Sequence, residues 1–400
     1  MKAAHDPKLM RDIDVDIHST ALSGLSIALG ITGGIAATES IRVCRELRRH
    51  GAEITVIMTT AATKVVTPLA IGWASQSDVI QDWTPEMSQL ESFDAILVAP
   101  ASRNFLSRYV AGMMDHPILM ACSAARARGT PILLVPSMHQ DLFDDPVTES
   151  ILANIDDAKV IRGPHQEGRF KQPDPVQIVA ELCHLINQSV HSKKFAITLG
   201  ANRAPIDSVR AIQNASSGRT GWAIAEYLYR FGHDVIVIAG KTSADPNFIL
   251  PEIIRAGEPD DMLESCIDVA QLKTKPDGWI HSAAVLDYYA PTLDEKKPSG
   301  KEKWTIDLSP GPKHISELSQ YVDGARRIGF KLETGVELNE LLSRAEYQLE
   351  QYGVDATIAN LLEEINNPDS PRAYMVTTDG VRPLESLSDM CEAILVLLTN

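Results

Sequence analysis

The sequence predicts an α/β protein of two doubly wound parallel-sheet domains, and three observations carry that prediction. Short apolar runs of the kind buried on both faces of a sheet alternate with helical stretches along the chain. The alternation pauses once, after PVQIVAELCHLINQS, at the polar stretch VHSKK, and then begins again. On either side of the pause one local figure recurs: RELRRHGAEITVIMT and EYLYRFGHDVIVIAG are each a helix, a glycine stop and a buried strand. A boundary near residue 192 follows. Residues 1–24 read as an N-terminal leader, 25–189 as the first domain, 190–194 as a linker and 195–400 as the second domain.

In order along the first domain, LSIALG, AEITVIM, DAILVAP and TPILLVP are the strands, with ESIRVCRELRRHG and FLSRYVAGMM among the helices between them. In the second, FAITLG, DVIVIAG, DGWIHSAAV, ARRIGFKLE, DATIAN and AYMVTT repeat the strand type, and GWAIAEYLYRFG is the first helix. Strand then helix, repeated, is the pattern of a parallel sheet covered on both faces.

Composition narrows the function classes. At 400 residues, 44% hydrophobic and 22% charged, the chain has the balance of a soluble globular protein. No apolar run reaches the roughly 18 residues that a membrane span needs, and residues 1–25 are too charged for a signal peptide, so the expected compartment is the cytoplasm. Five scattered cysteines without CxxC pairing read as reduced core thiols rather than a disulfide framework or a zinc site. A net charge of -16 repels polyanions, which argues against nucleic acid as a partner. A phosphorylated ligand must therefore be held by local dipoles and a few cationic side chains.

In an open parallel sheet, ligands collect at the carboxyl ends of the strands, where helix N-termini turn free N–H groups outward. Both domains put their least core-like residues there. In the first, strand ends GITGGIAATES, MTTAAT and APASRN surround one crevice with glycines and hydroxyls, which suits a mononucleotide phosphate; tight turns and N-caps are the plainer reading of each alone. In the second, QNASSGRTG stands between the strand FAITL and a helix, and no residue in it builds a core. A dinucleotide unit ends its second strand in a carboxylate that grips the ribose, whereas these strands end in Met58-Thr59-Thr60 and Ala239-Gly240-Lys241. A nicotinamide-dependent reductase is disfavoured.

From about residue 25 to the C-terminus the chain resembles the bifunctional enzymes of coenzyme A biosynthesis, phosphopantothenoylcysteine decarboxylase fused to phosphopantothenate–cysteine ligase. The motifs are GITGGIAA with RELRRHGAEITVIMTTAA, VAPASRN and PSMHQDLFDDP in the first domain. In the second they are GANRAPIDSVRAIQNASSGRTG, SAAVLDYYAP followed by EKK, IGFKLETG and DATIAN. The PxMH form and the short leader are similar to archaeal members. The resemblance implies a flavodoxin-like FMN domain followed by a Rossmann-like nucleotide domain, working in the cytoplasm on 4′-phosphopantothenate, cysteine and CTP. It implies trimers of the first domain, dimers of the second and a dodecameric homo-oligomer.

By that resemblance Thr32, Gly33, Gly34, Ile35, Thr59, Ala101, Ser102 and Asn104 hold FMN. Asn214 is then a neutral donor that touches acyl and phosphoryl oxygens without attacking them, and Arg210 encloses the anionic substrate. Ser216, Ser217 and Gly218 offer hydroxyls and N–H groups to phosphate at a helix start. Ser282, Ala283, Lys313 and Phe330 complete the nucleotide site. Asp287 holds the nucleotide sugar or a Mg2+ ion, and Lys296 offsets phosphate charge, with Lys297 as its competitor. A capped turn is the plainer reading of Asn214 and the serines, and a solvated loop lysine that of Lys296.

The chain also departs from the family pattern. Gln348 and Tyr352 stand where two lysines are usual, with Arg344 and Lys331 as candidate substitutes, and SSGR replaces SSGK, with Arg219 keeping the charge. In the first domain no histidine lies between His50 and His116, His139 replaces the asparagine of PxMN, and the flap GPHQEGRFKQPD has no cysteine. His139 on a substrate carboxylate, with His165 or Glu167 as proton donor, are the candidates left. Three readings stay open: two active domains, a ligase with a dormant FMN domain, and a non-enzymatic flavin-binding regulator.

Overall fold

The computed structural model describes residues 11–166, 169–300, 303–322, 324–365 and 367–400. The chain divides into two compact units, Met1–Gln188 and Ser189–Asn400.

The strands of the first unit are β1 (Ser26–Ile31), β2 (Glu53–Met58), β3 (Val79–Ile80), β4 (Ala95–Ala101), β5 (Ile132–Pro136) and β6 (Lys159–Val160). They form one sheet in the order β3-β2-β1-β4-β5-β6, every pair parallel. Without the two-residue edge strand β3 this is the 2-1-3-4-5 order of flavodoxin-like sheets. Around it lie α1 (Ser40–Arg49), α2 (Pro68–Ser75), α3 (Arg103–Val110), α4 (Pro117–Arg128), α5 (Gln140–Phe143), α6 (Pro146–Ala153) and α7 (Pro175–Asn187). One core joins Ile57, Ile96, Val98 and Leu134 of the strands to Phe105, Leu106, Ile118 and Cys122 of the helices, all buried. Burying such side chains is worth about 1.5–3 kcal/mol each. The starts and stops are local: Thr67 accepts from the Ala70 N–H with Pro68 at the first helical position, and Gly129 ends α4 at φ 70°. The small hairpin β7 (His165–Gln166) and β8 (Arg169–Phe170) forms the flap.

From residue 11 on, the segment before β1 is held against α1. Arg45 donates to the carbonyls of Asp12 and Asp14, Arg48 to that of Ile13, and the His18 N–H to that of Arg49.

The second unit has β9 (Lys194–Leu199), β10 (Arg203–Pro205), β11 (Ala211–Gln213), β12 (Asp234–Ala239), β13 (Glu252–Arg255) and β14 (Gly278–His281). These are followed by β15 (Tyr288–Tyr289), β16 (Ser309–Pro310), β17 (Arg326–Glu333), β18 (Ala356–Leu361), β19 (Ala373–Thr377) and β20 (Gly380–Leu384). Its helices are α8 (Arg219–Arg230), α9 (Pro259–Ala270), α10 (His314–Glu317), α11 (Leu338–Tyr352) and α12 (Leu387–Thr399). The main sheet runs β13-β12-β9-β14-β17-β18-β19-β20. Its first six strands are parallel and have the 3-2-1-4-5-6 order of a Rossmann-like sheet. AYMVTT, read as another strand of the parallel type, runs antiparallel to β18 and turns back into β20. A buried apolar run looks the same in either direction, so composition gave no sign of the reversal.

Candidate active sites

In the second unit the order reverses between β9 and β14, and the loops leaving the two strands are knotted together there. Ala201 bridges to both Lys241 and Ala284, and the Asn202 N–H donates to the Ala284 carbonyl. Asn214 ties the knot from the third side. Its Nδ2 donates to the carbonyls of Ala284 (3.0 Å) and Val285 (3.1 Å), and its own N–H donates to Asn202. Both amide protons are thus engaged in shaping the AAVLD loop that leads to Asp287, and donation to an acyl-nucleotide requires one of them to be released.

After Asn214 the chain enters α8 through Gly218, which sits at φ 78° with a would-be Cβ 2.6 Å from Thr242 Cγ2. Only glycine fits that turn without strain. The hydroxyls of Ser216 and Ser217 accept from the N–H groups of Gly218 and Arg219, as in a capped turn, and each keeps its O–H proton to donate. Gly218 provides no side-chain cap, and beyond Arg219 the N–H groups of Thr220 and Gly221 in the first turn of α8 have no hydrogen-bond partner among the described residues. Arg372 donates to Thr220 Oγ1 in that turn; the sequence reading missed it because it lies about 150 residues away in an unpatterned loop.

A clasp closes the side of this site. Asp207, which is buried, accepts from the N–H groups of Val209, Arg210 and Lys297 and from the Arg210 guanidinium. Burial works to raise its carboxyl, but these donors outweigh it and hold it at about 2. Arg210 also donates to the Lys297 carbonyl and lies over Trp304, 5.2 Å from the ring centroid, with the Lys297 ammonium on the same ring at 5.5 Å. Lys297 is thus placed by its backbone and ring contact, though it and the neighbouring Lys296 are both exposed. Next to the clasp lies a cleft of about 500 Å3. Arg203, Arg210 and Lys241 line it together with Asp207, Glu258, Asp261 and Asp294; Arg203 and Lys241 lie in no motif that singles them out in the sequence.

Asp287 and Lys313 are brought together as an ion pair, both about half exposed. Ser282 donates to the Thr198 carbonyl at 2.7 Å, which aligns the end of β14 with β9, and Ala283 follows it in the same turn. Phe330 is half-buried within β17, where its carbonyl accepts from the Gln348 amide. Lys331 and Arg344 both pair with Glu333, and Arg344 also with Glu340. The two candidate replacement cations are therefore neutralised locally.

In the first unit, the crevice lies between β1 and β4. Thr32 Oγ1 donates to the Pro100 carbonyl and accepts from the Ser102 N–H, both at 2.8 Å, stitching the two strand ends; Ala101 is the last residue of β4. Ser102 caps α3, and Asn104 is exposed on its first turn. Thr59 caps its own turn, accepting from the Ala62 N–H. A Cβ on Gly33 would stand 2.4 Å from that of Ala61, and Gly34 borders open space. Among the described residues the N–H groups of Gly33 and Gly34 have no partner, and Ile35 is 82% exposed. Open amides beside an uncovered apolar side chain fit a phosphate with a flat aromatic ring system.

His139 caps α5 and is 61% exposed, with Nδ1 3.2 Å from Asp141 Oδ2. The flap docks on the same helix: the Phe170 N–H donates to Gln140 Oε1, Phe143 packs on Phe170, and the His165 ring meets Phe170 edge-on at 5.0 Å. His139 and His165 are thus linked to one docked hairpin. Glu167 lies outside the described residues. His116, also unremarked as a site residue, caps α4, and burial pushes its imidazole down from the usual value. Because α4 runs back towards the start of β5, this histidine lies at the carboxyl edge of the sheet.

Two open sheets, each with glycine- and hydroxyl-bearing turns at its switch point, define a two-domain protein of doubly wound α/β architecture. Residues 15–187 match the family model described as Flavoprotein, and residues 190–397 match the DNA/pantothenate metabolism flavoprotein C-terminal domain. The Coenzyme A biosynthesis bifunctional protein CoaBC of Thermococcus kodakarensis is 33% identical, over 92% of this chain and 93% of that one. Its namesake in Haemophilus influenzae is 31% identical over 91% and 94%, and that of Methanocaldococcus jannaschii 28% over 93% and 92%. The chain belongs to this family of bifunctional coenzyme A biosynthesis proteins. Among the described residues no helix is long and apolar enough to cross a membrane.

Proposed function

We propose that the second unit joins 4′-phosphopantothenate to cysteine at the expense of CTP, and that the first unit decarboxylates the product to 4′-phosphopantetheine. The observation that carries this reading is the Asn214 knot, where a side-chain amide and the start of α8 meet at one switch point. Such a place suits a mixed anhydride of a carboxylic acid and a nucleotide phosphate. The acid's carboxylate attacks the α-phosphorus and pyrophosphate leaves. The cysteine amine then attacks the acyl carbon, the amide bond forms, and the nucleoside monophosphate departs. Ser216, Ser217 and the first turn of α8 face the phosphate, while Arg210 and the clasp border the pantothenate acid. Asn214 is neutral and not nucleophilic, so it survives contact with the anhydride. Asp287 and Lys313 stand ready for nucleotide sugar and phosphate. Asp287 is paired with a lysine and belongs to no cluster of three or more metal-ligand side chains among the described residues, so a Mg2+ ion fits here as one carried in on the phosphates.

In the first unit Thr32, Gly33, Gly34, Ile35 and Ser102 would hold FMN, which supplies reversible thiol oxidation and thereby an electron sink for loss of the carboxylate. His139 orients that carboxylate and His165 moves a proton. The reading extends to a cytoplasmic homo-oligomer. The test is to incubate the protein with 4′-phosphopantothenate, cysteine, Mg2+ and either CTP or ATP, and to weigh the products. Phosphopantothenoylcysteine and phosphopantetheine are both expected. The first without the second leaves a ligase with a dormant flavin domain; neither product overturns the proposal.

A further inference from the structure

Apart from the crevice residues, α1 and the segment before β1 bring His18, Glu46 and His50 together. Glu46 and His50 are four residues apart at the end of α1, so their side chains share one face. Both are buried, His18 is exposed, and one ligand atom from each lies within 4.8 Å of the other two. His50 Nε2 is 3.3 Å from Glu46 Oε1. Two ligands about 2.1 Å from a tetrahedral ion stand roughly 3.4 Å apart, so this edge already has coordination spacing. Support lies behind it. The buried Ser19 hydroxyl bonds His50 Nδ1 at 2.7 Å, which fixes the ring and turns Nε2 towards Glu46. Arg49 donates to Glu46 Oε2 at 2.9 Å, leaving Oε1 on the histidine side.

We propose that His18, Glu46 and His50 bind one divalent first-row transition-metal ion of the Zn2+ kind, with the solvent side of His18 left for a water. Two imidazoles and a carboxylate select such an ion over Mg2+ or Ca2+, which prefer all-oxygen sets. The ion fastens the segment before β1 onto α1, where Arg45 and Arg48 already grip its carbonyls. The alternative is a metal-free Ser–His–Glu hydrogen-bond chain.

The test uses the full chain stripped with a chelator and titrated with Co2+, followed by its visible absorption, and then with Zn2+ in competition. One equivalent per chain, the intense bands of four- or five-coordinate Co2+ and a metal-dependent rise in Tm are expected. His18→Ala changes an exposed side chain, so its metal-free Tm should equal that of the parent while its Co2+ affinity drops at least roughly tenfold. His191→Ala, at an exposed histidine elsewhere, should bind like the parent. Glu46→Gln keeps an acceptor for His50 and should also lose affinity. Absence of a stoichiometric Co2+ spectrum, or equal binding by the parent and His18→Ala, overturns the proposal.

Discussion

At the scale of single residues, Asn214 and His314 make opposite demands on their surroundings. Asn214 must donate twice, to Ala284 and Val285. Asn214→Asp sets a carboxylate oxygen against two carbonyls, and losing such a pair costs about 1–3 kcal/mol. Ligation is expected to disappear, with a Tm drop of several degrees seen by circular dichroism; undiminished ligation would remove the residue from the chemistry. His314 is buried next to Lys313, and burial pushes its imidazole from 6.5 down to about 4. The unfolded chain takes this proton near pH 6.5 and the folded one only near 4, so protonation favours unfolding across that window. Stability contributed by the neutral ring is present above pH 6.5 and is lost as pH falls towards 4, by roughly 2–3 kcal/mol. His314→Leu should flatten this part of the denaturation midpoint against pH; an unchanged slope would show that other groups set it.

At the scale of elements, the glycine turn after β1 supports a clean separation of the two halves. Gly33→Ala puts a methyl group 2.4 Å from Ala61 Cβ, so the turn must shift. Yellow flavin absorbance is expected to fall at least roughly tenfold in the purified variant while ligation, carried by the other unit, keeps its rate. Retained flavin would place the cofactor elsewhere. The parallel strands were legible in the sequence because a doubly buried strand must be apolar along its length, as in SIALGI and DVIVIA. Strand direction was not, which is why the β19–β20 return came as a difference. The turn into α8 was legible too, since QNASSGRTG is contiguous. The clasp was not, because Asp207 meets Lys297 ninety positions later, and no spacing rule reaches across a β-ribbon. The silencing of Arg344 and Lys331 by Glu333 is invisible for the same reason: the residues alone show two cations, and only packing shows their shared counter-charge.

At the scale of the whole molecule, each unit has its own sheet and its own buried core, as a domain able to fold alone requires. Residues 1–188 and 189–400 produced separately are expected to unfold cooperatively, the first retaining flavin and the second ligating, and calorimetry of each measures this. A half that stays unstructured by circular dichroism would show that its stability depends on the rest of the chain. The division between Gln188 and Ser189 also has an evolutionary reach. Mutational drift on one side need not disturb the other, so lineages are free to fission the gene, or to let one catalyst decay while its tethered neighbour remains under selection.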